Sequence, residues 1–204
     1  MGRRGDELFN PVTKTRVVFV ETPADNAGHE LSVDWYVPPG EGLPVAPHYH
    51  AGPVDQVAET FTVISGNTSM RVGRRQLTVS APSAIDVRFN EVHTHPVNAG
   101  RDELHVRQTG KRDQPELEML SRVEQFLETL VALSQQGKVN RKGDVSNPLQ
   151  AAITINDLLL DPTFLPGLSP GLQKGIFGAL AQIARWAGYQ PLRRPRIMDT
   201  PGIK

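Results

Sequence analysis

The stretch Gly42-Leu-Pro-Val-Ala-Pro-His48-Tyr-His50, with Glu59-Thr-Phe61-Thr-Val63-Ile-Ser-Gly66 behind it, decides the reading of this chain. His48 and His50 are two apart, so on an extended backbone both imidazoles point to one side. Glu59, Phe61 and Val63 share one face of the next strand, and Gly66 supplies the turn into a hairpin partner. If that face lines a barrel, a carboxylate meets the two imidazoles inside it. A second cluster, His93-Thr-His95-Pro-Val-Asn98, brings a third imidazole from a later strand. Three imidazoles and one carboxylate suit a first-row divalent ion and leave positions open for water or substrate.

Around this core the chain changes texture once. From about residue 12 to 110 the apolar runs are short and often alternate. They predict strands at Arg16–Val20, Leu31–Val37, Glu59–Ser65, Thr68–Val72, Gln76–Val79, Ala84–Phe89, His93–Val97 and Leu104–Gln108. Many short strands broken by Gly, Pro and Asn indicate a sandwich or small barrel. After Asp113 the period becomes helical. Leu117, Leu120, Val123, Leu127, Leu130 and Val131 form one stripe of a helix from Pro115 to about Gln136, which Gly137 stops. Asn147-Pro148 is a cap with a first-turn proline, opening a helix to about Asp161. Ser169-Pro170 repeats the signal for a third helix ending near Gly188. Its stripe of Leu172, Ile176, Leu180, Ile183 and Ala187 is expected to pack on the barrel or on another subunit. The expected division is a β-barrel over 12–112 and a helical extension over 113–204. The extension ends in an exposed basic tail around Arg193, Arg194 and Arg196.

These motifs resemble the cupin superfamily, whose first motif reads G-x5-H-x-H-x3,4-E-x6-G. The tract Glu59-Thr-Phe61-Thr-Val63-Ile-Ser-Gly66 is similar to the family's E-x-F-x-V-x-x-G strand. Its second motif, P-x-G-x2-H-x3-N, is matched more loosely by Arg88-Phe-Asn90-Glu-Val-His93. Asn90 stands at the glycine position, where a left-handed conformation suits Asn. The resemblance covers about residues 30 to 110 and implies a mainly β, jelly-roll or double-stranded β-helix barrel. The helical remainder also resembles the tail of a group of small bacterial single-cupin proteins, in Asn147-Pro-Leu-Gln150 and Ala184-Arg185-Trp-Ala-Gly188-Tyr189. What the resemblance implies for chemistry is the cupin pool of dioxygenases, isomerases and related activities.

Two departures leave alternatives open. Eight residues, rather than three or four, separate His50 from Glu59, and the usual count points to Asp55. Glu59 is favoured because its strand and its distance to Gly66 both match. Four residues, rather than three, separate His93 from Asn98, which makes His95 a rival ligand or a hydrogen-bonding neighbour of the site. Phe61 and Met70 read as core that can double as substrate wall in a small barrel. His105 and Asn98 read as structural polar groups or as pocket groups.

Composition narrows the function classes. The chain has 204 residues, enough to bury roughly 70% of its unfolded surface. Lys+Arg 22 against Asp+Glu 22 leaves no net charge, which argues against nucleic-acid binding through bulk positive charge. Cys is absent, so thiolate metal sites and thiol nucleophiles are excluded. The N-terminus is charged, with no signal-type apolar run behind it. No run of ~18 apolar residues exists. A cytoplasmic protein is expected, and membrane contact is not, since Lys174, Gln182 and Arg185 interrupt the apolar face of the third helix. No phosphate-binding loop or nucleophile elbow is present.

The expectation is a metal-dependent enzyme, dioxygenase- or isomerase-like, acting on a small organic molecule. One divalent transition metal (Fe, Mn, Ni, Cu or Zn) is held by His48, His50, Glu59 and His93, and Glu59 doubles as a base. The alternative is a non-catalytic, ligand-binding or sensory module. A homodimer is expected in either case.

Overall fold

The computed structural model describes residues 2–43, 45–160, 162–191 and 194–195. Alternation of buried and exposed residues sets the strands. They are β1 (Glu7–Phe9), β2 (Arg16–Glu21), β3 (Glu30–Val37), β4 (Tyr49–His50), β5 (Val57–Ser65) and β6 (Asn67–Val72). Then follow β7 (Arg75–Ser80), β8 (Ser83–Arg88), β9 (Val97–Asn98), β10 (Leu104–Lys111) and β11 (Thr163–Phe164). One antiparallel sheet runs β1-β2-β3-β10-β5-β8. The other starts as β7-β6-β9. Bridges between His48 and His93 and between Gly42 and Val97 extend it to the 42–50 segment, whose β4 pairs with β11.

From β3 to β10 the chain passes from sheet to sheet at almost every connection, which is the winding of a jelly-roll barrel. Phe61, Val63, Met70, Val72 and Val106 fill the space between the sheets. Gly66 turns β5 into β6 at φ +87°, where a Cβ would meet the Leu104 backbone at 3.1 Å. The strand expected at His93–Val97 is reduced to single bridges before β9, because Pro96 has no N–H to give to a ladder. The first sheet also begins earlier than residue 12, since β1 pairs with β2.

Helix α1 (Leu117–Gln135) lays Leu120, Phe126, Leu127, Leu130 and Val131 into the same apolar cluster as the barrel interior. Helix α2 (Pro148–Thr154) is capped by the Asn147 side chain, which accepts from the N–H groups of Leu149 and Gln150. It runs on as a π-helical turn over Ile155–Leu159, so the helix expected to Asp161 is regular only to Thr154. Helix α3 (Pro170–Trp186) is capped by Ser169.

The expected stripe of α3 needs correction. Leu172, Ile176 and Ile183 stay 51%, 41% and 47% exposed and touch no barrel strand closely. The buried face is Gln173, Ala181 and Ala184, packed on α2, because small residues let the two helices approach. Arg194 is exposed, while Arg193 and Arg196 lie outside the described residues. Among the described residues no helix is long and apolar enough to cross a membrane.

Candidate metal centre

His48 and His50 stand on the segment that enters the second sheet, and His93 faces them across a two-way backbone bridge. His48 N–H donates to the His93 carbonyl at 3.1 Å, and His93 N–H returns the bond at 2.9 Å. Glu59 comes from the opposite sheet. A register shift between Val57 and Glu59 in the β5–β8 ladder precedes the carboxylate, which shares the inward face of Phe61 and Val63. One donor atom from each of His48, His50, Glu59 and His93 falls within 4.8 Å of all the others. An ion ~2.0–2.2 Å from each donor needs them up to ~4.4 Å apart, so little closure is required.

The ring tautomers are set from behind. His48 Nδ1 lies 2.9 Å from the Ala46 carbonyl and His93 Nδ1 lies 3.1 Å from the Glu91 carbonyl. A carbonyl only accepts, so both Nδ1 atoms carry the proton and both Nε2 lone pairs are left for a ligand. His50 Nδ1 lies 3.0 Å from the Thr163 hydroxyl in β11. Gln108 Nε2 donates to Glu59 Oε2 at 2.7 Å, leaving Oε1 toward the imidazoles. This is the outer support that metal ligands characteristically have.

His93 Nε2 is 2.5 Å from Glu59 Oε1 yet is misaligned for a hydrogen bond, and it is buried without any other partner. A buried donor set with such an orphaned nitrogen fits a divalent cation.

Burial and the Glu59 carboxylate set the electrostatics of the cluster: burial opposes charge on His93, but the carboxylate beside it raises the ring above the ordinary imidazole range. Burial would push the Glu59 carboxyl up, but the His50 and His93 imidazoles beside it hold it well below the usual carboxylate range. Burial, followed by the neighbouring His95, His50 and His93 rings, pushes His48 well down, so it stays neutral. His95 is lowered to about 4, chiefly by burial.

The remaining candidates separate cleanly. Asp55, the alternative acid, sits in a loop at φ 76°, its side chain 87% exposed and 3.6 Å from Arg88. It is not brought to the imidazoles, because the chain between His50 and Val57 loops outward before β5 begins. His95 is buried, has no partner on either ring nitrogen, and borders the cavity beside His48, His50 and Glu59. Phe61 packs edge-on against the His95 ring at 5.3 Å, and Met70 lies in the core. His105 is stacked on Tyr36 and lies 3.2 Å from Asp34, away from the cavity. Asn98 is spent on the Val37 and Asp102 carbonyls and the Gly100 N–H, so it is a loop brace and not a pocket group. Asn90 adopts φ 65° as expected, and its side chain donates to the Gly52 carbonyl.

Sequence reading missed Thr163, Gln108 and the roof of the cavity. Met119, Val123 and Leu127 of α1, with Leu159 of the π-turn, close over the donor set. Only the helical stripe of α1 signalled an apolar face; nothing local said what it would cover.

No protein-family model matches the sequence, and no curated protein matches it. Among solved structures, similar folds are found in cupin-type proteins. A protein described as a predicted oxalate decarboxylase from Thermotoga maritima is 17% identical, with TM-score 0.43 over 54% of this chain and 98% of that one. The cupin domain of an XRE-family transcriptional regulator from Enterobacter cloacae is 16% identical, with TM-score 0.39 over 49% and 98%. The polyketide cyclase RemF from Streptomyces resistomycificus is 16% identical, with TM-score 0.38 over 56% and 72%. These are likenesses of fold alone. The winding of the strands makes this a jelly-roll barrel, and its buried donor set is a group able to hold a metal ion.

Proposed function

We propose that this protein is a metal-dependent enzyme, dioxygenase- or isomerase-like, acting on a small organic molecule. His48, His50, Glu59 and His93 hold one divalent transition ion. The observation that carries this reading is the convergence of four supported, mostly buried donors on one point at the edge of a cavity. When bound, the ion supplies a Lewis-acid centre for an oxygen donor of the substrate.

The chain's own residues do the rest. Gln108 orients the Glu59 carboxylate through Oε2. Glu59, kept ionised by the imidazoles around it, doubles as the base in this reading. His95, neutral and unpartnered, offers one N–H and one lone pair to a substrate heteroatom. The α1 roof excludes water and strengthens each of these interactions.

Metal analysis of the purified protein, with a turnover screen of catechols, flavonols and keto-sugars, tests this reading. Near one equivalent of iron, manganese, nickel, copper or zinc is expected, with turnover lost in His48→Ala and His50→Ala. Ligand retention without turnover assigns a binding module instead. A homodimer belongs to the same reading. The exposed Leu172, Ile176, Ile183 and Trp186 on α3 are the apolar side chains assigned to a second copy in this reading. Sedimentation that leaves Ile183→Asp dimeric removes that face from the proposal.

A further inference from the structure

The metal centre opens on a small cavity of ≈ 60 Å³ under α1. Behind it lies a second recess of ≈ 190 Å³, outside the barrel, between α1, α2, the π-turn and the segment after β11. Val45, His48, Phe126, Leu159 and Thr163 line both, so the two spaces adjoin at these side chains. His48 belongs to the donor set, so the recess begins one imidazole away from the centre.

The wall of the recess is apolar, formed by Leu130, Val145, Ala151, Ile155, Leu160 and Phe164. Its polar side chains are already partnered. The Thr154 hydroxyl accepts from Gln150 and donates to the Pro191 carbonyl. Gln173 donates to the Leu165 and Leu168 carbonyls and accepts from the Leu165 N–H. Asp144 lies exposed at the rim, where it accepts from Asn140. Away from the rim, water finds few of the two to four partners it needs. An apolar cavity of about 150 Å³ takes a benzene molecule, so this recess holds one ring or an alkyl chain of similar bulk.

The π-turn also points to function. Leu160 N–H reaches back five residues to the Ile155 carbonyl, and the widened turn sets Ile155 and Leu159 on one wall while Leu158 enters the core. Such turns are rare and cluster at functional sites.

We infer that the recess receives the apolar body of the molecule whose oxygen-donor head binds at the metal centre. The substrate class is therefore a small amphiphile, an oxygen chelate carrying one aromatic ring or a short alkyl chain. The pairing of head and body rests on the metal-centre reading above.

The test titrates zinc-loaded protein with alkyl hydroxamates, from acetohydroxamate to octanohydroxamate, by calorimetry. Affinity is expected to rise about fourfold per added methylene, the equivalent of burying each one, until the recess is full. In Ala151→Phe, which fills the recess, the series flattens while acetohydroxamate binds as before. A second measurement needs no metal and no variant. Benzene added to metal-free protein is expected to shift the methyl resonances of Leu130, Val145, Ile155 and Leu160. A flat series in the wild type, with acetohydroxamate still bound, overturns the recess and leaves the metal centre standing. Protein that takes up no zinc overturns the metal centre; zinc-loaded protein that fails to bind acetohydroxamate overturns the head-to-body pairing, and an absent benzene shift then removes the recess as well.

Discussion

Replacing Thr163 by Val is expected to weaken metal binding about tenfold, although Thr163 is no ligand and lies 113 residues from His50. The Thr163 hydroxyl lies 3.0 Å from His50 Nδ1; with an ion on Nε2 the ring proton sits on Nδ1, and this hydroxyl is its acceptor. Loss of such outer partners costs 10- to 100-fold in metal affinity as a rule, or ~1.4–2.7 kcal/mol. The His50 side chain is 14% exposed, so water can reach the abandoned N–H and the effect falls at the lower end of that range. Valine has the shape of threonine and favours strands, so the backbone pairing of Thr163 with His50 persists. Thr163→Ser keeps the hydroxyl and should bind within about twofold of the parent. The assay is competition for zinc against a chelator of known affinity, with thermal unfolding of the metal-free proteins as a folding control. A valine variant that binds zinc as tightly as the parent, or a serine variant as weak as valine, refutes the reasoning.

Two further predictions concern carboxylates. Glu59→Gln should lower metal retention through dialysis far more than Asp55→Asn, because Glu59 is buried among imidazoles and Asp55 is solvated; the reverse ranking reassigns the acid. Glu124 in α1 is raised to about 7, mainly by burial, and one of its oxygens has no partner. Its folded form therefore keeps a proton that the unfolded chain has lost, and its contribution to stability falls as pH rises from about 4.5 to 7. Glu124→Gln should gain on the order of 1–2 kcal/mol relative to the parent at pH 8, with little of that gain at pH 4. Urea unfolding at the two values checks this, and an equal difference at both contradicts it.

The barrel was largely legible because its signals are local. Period-two alternation in β5 places Glu59 with Phe61 and Val63, and Pro, Gly and Asn mark the ends of most strands. The caps at Asn147 and Ser169 likewise announced their helices, since each satisfies N–H groups only two or three residues away. The helical stripe of α3 was legible too, but not its neighbour: Ala181 and Ala184 found α2, and the larger residues stayed outside. A stripe records that a face is apolar and says nothing of what meets it.

The amino-acid order by itself determined the strand-borne pair His48 and His50, the turn at Gly66 and a short set of acids and imidazoles to join them. Only the tertiary structure decided between Asp55 and Glu59, because the outward loop and the irregular start of β5 set which carboxylate turns inward. It alone brought Thr163 behind His50, Gln108 behind Glu59 and α1 over the cavity. Local periodicity reports the face a residue presents. Which distant face lies opposite follows from how two sheets and α1 share one apolar interior while α2 and α3 pack on each other, and no window of sequence contains that.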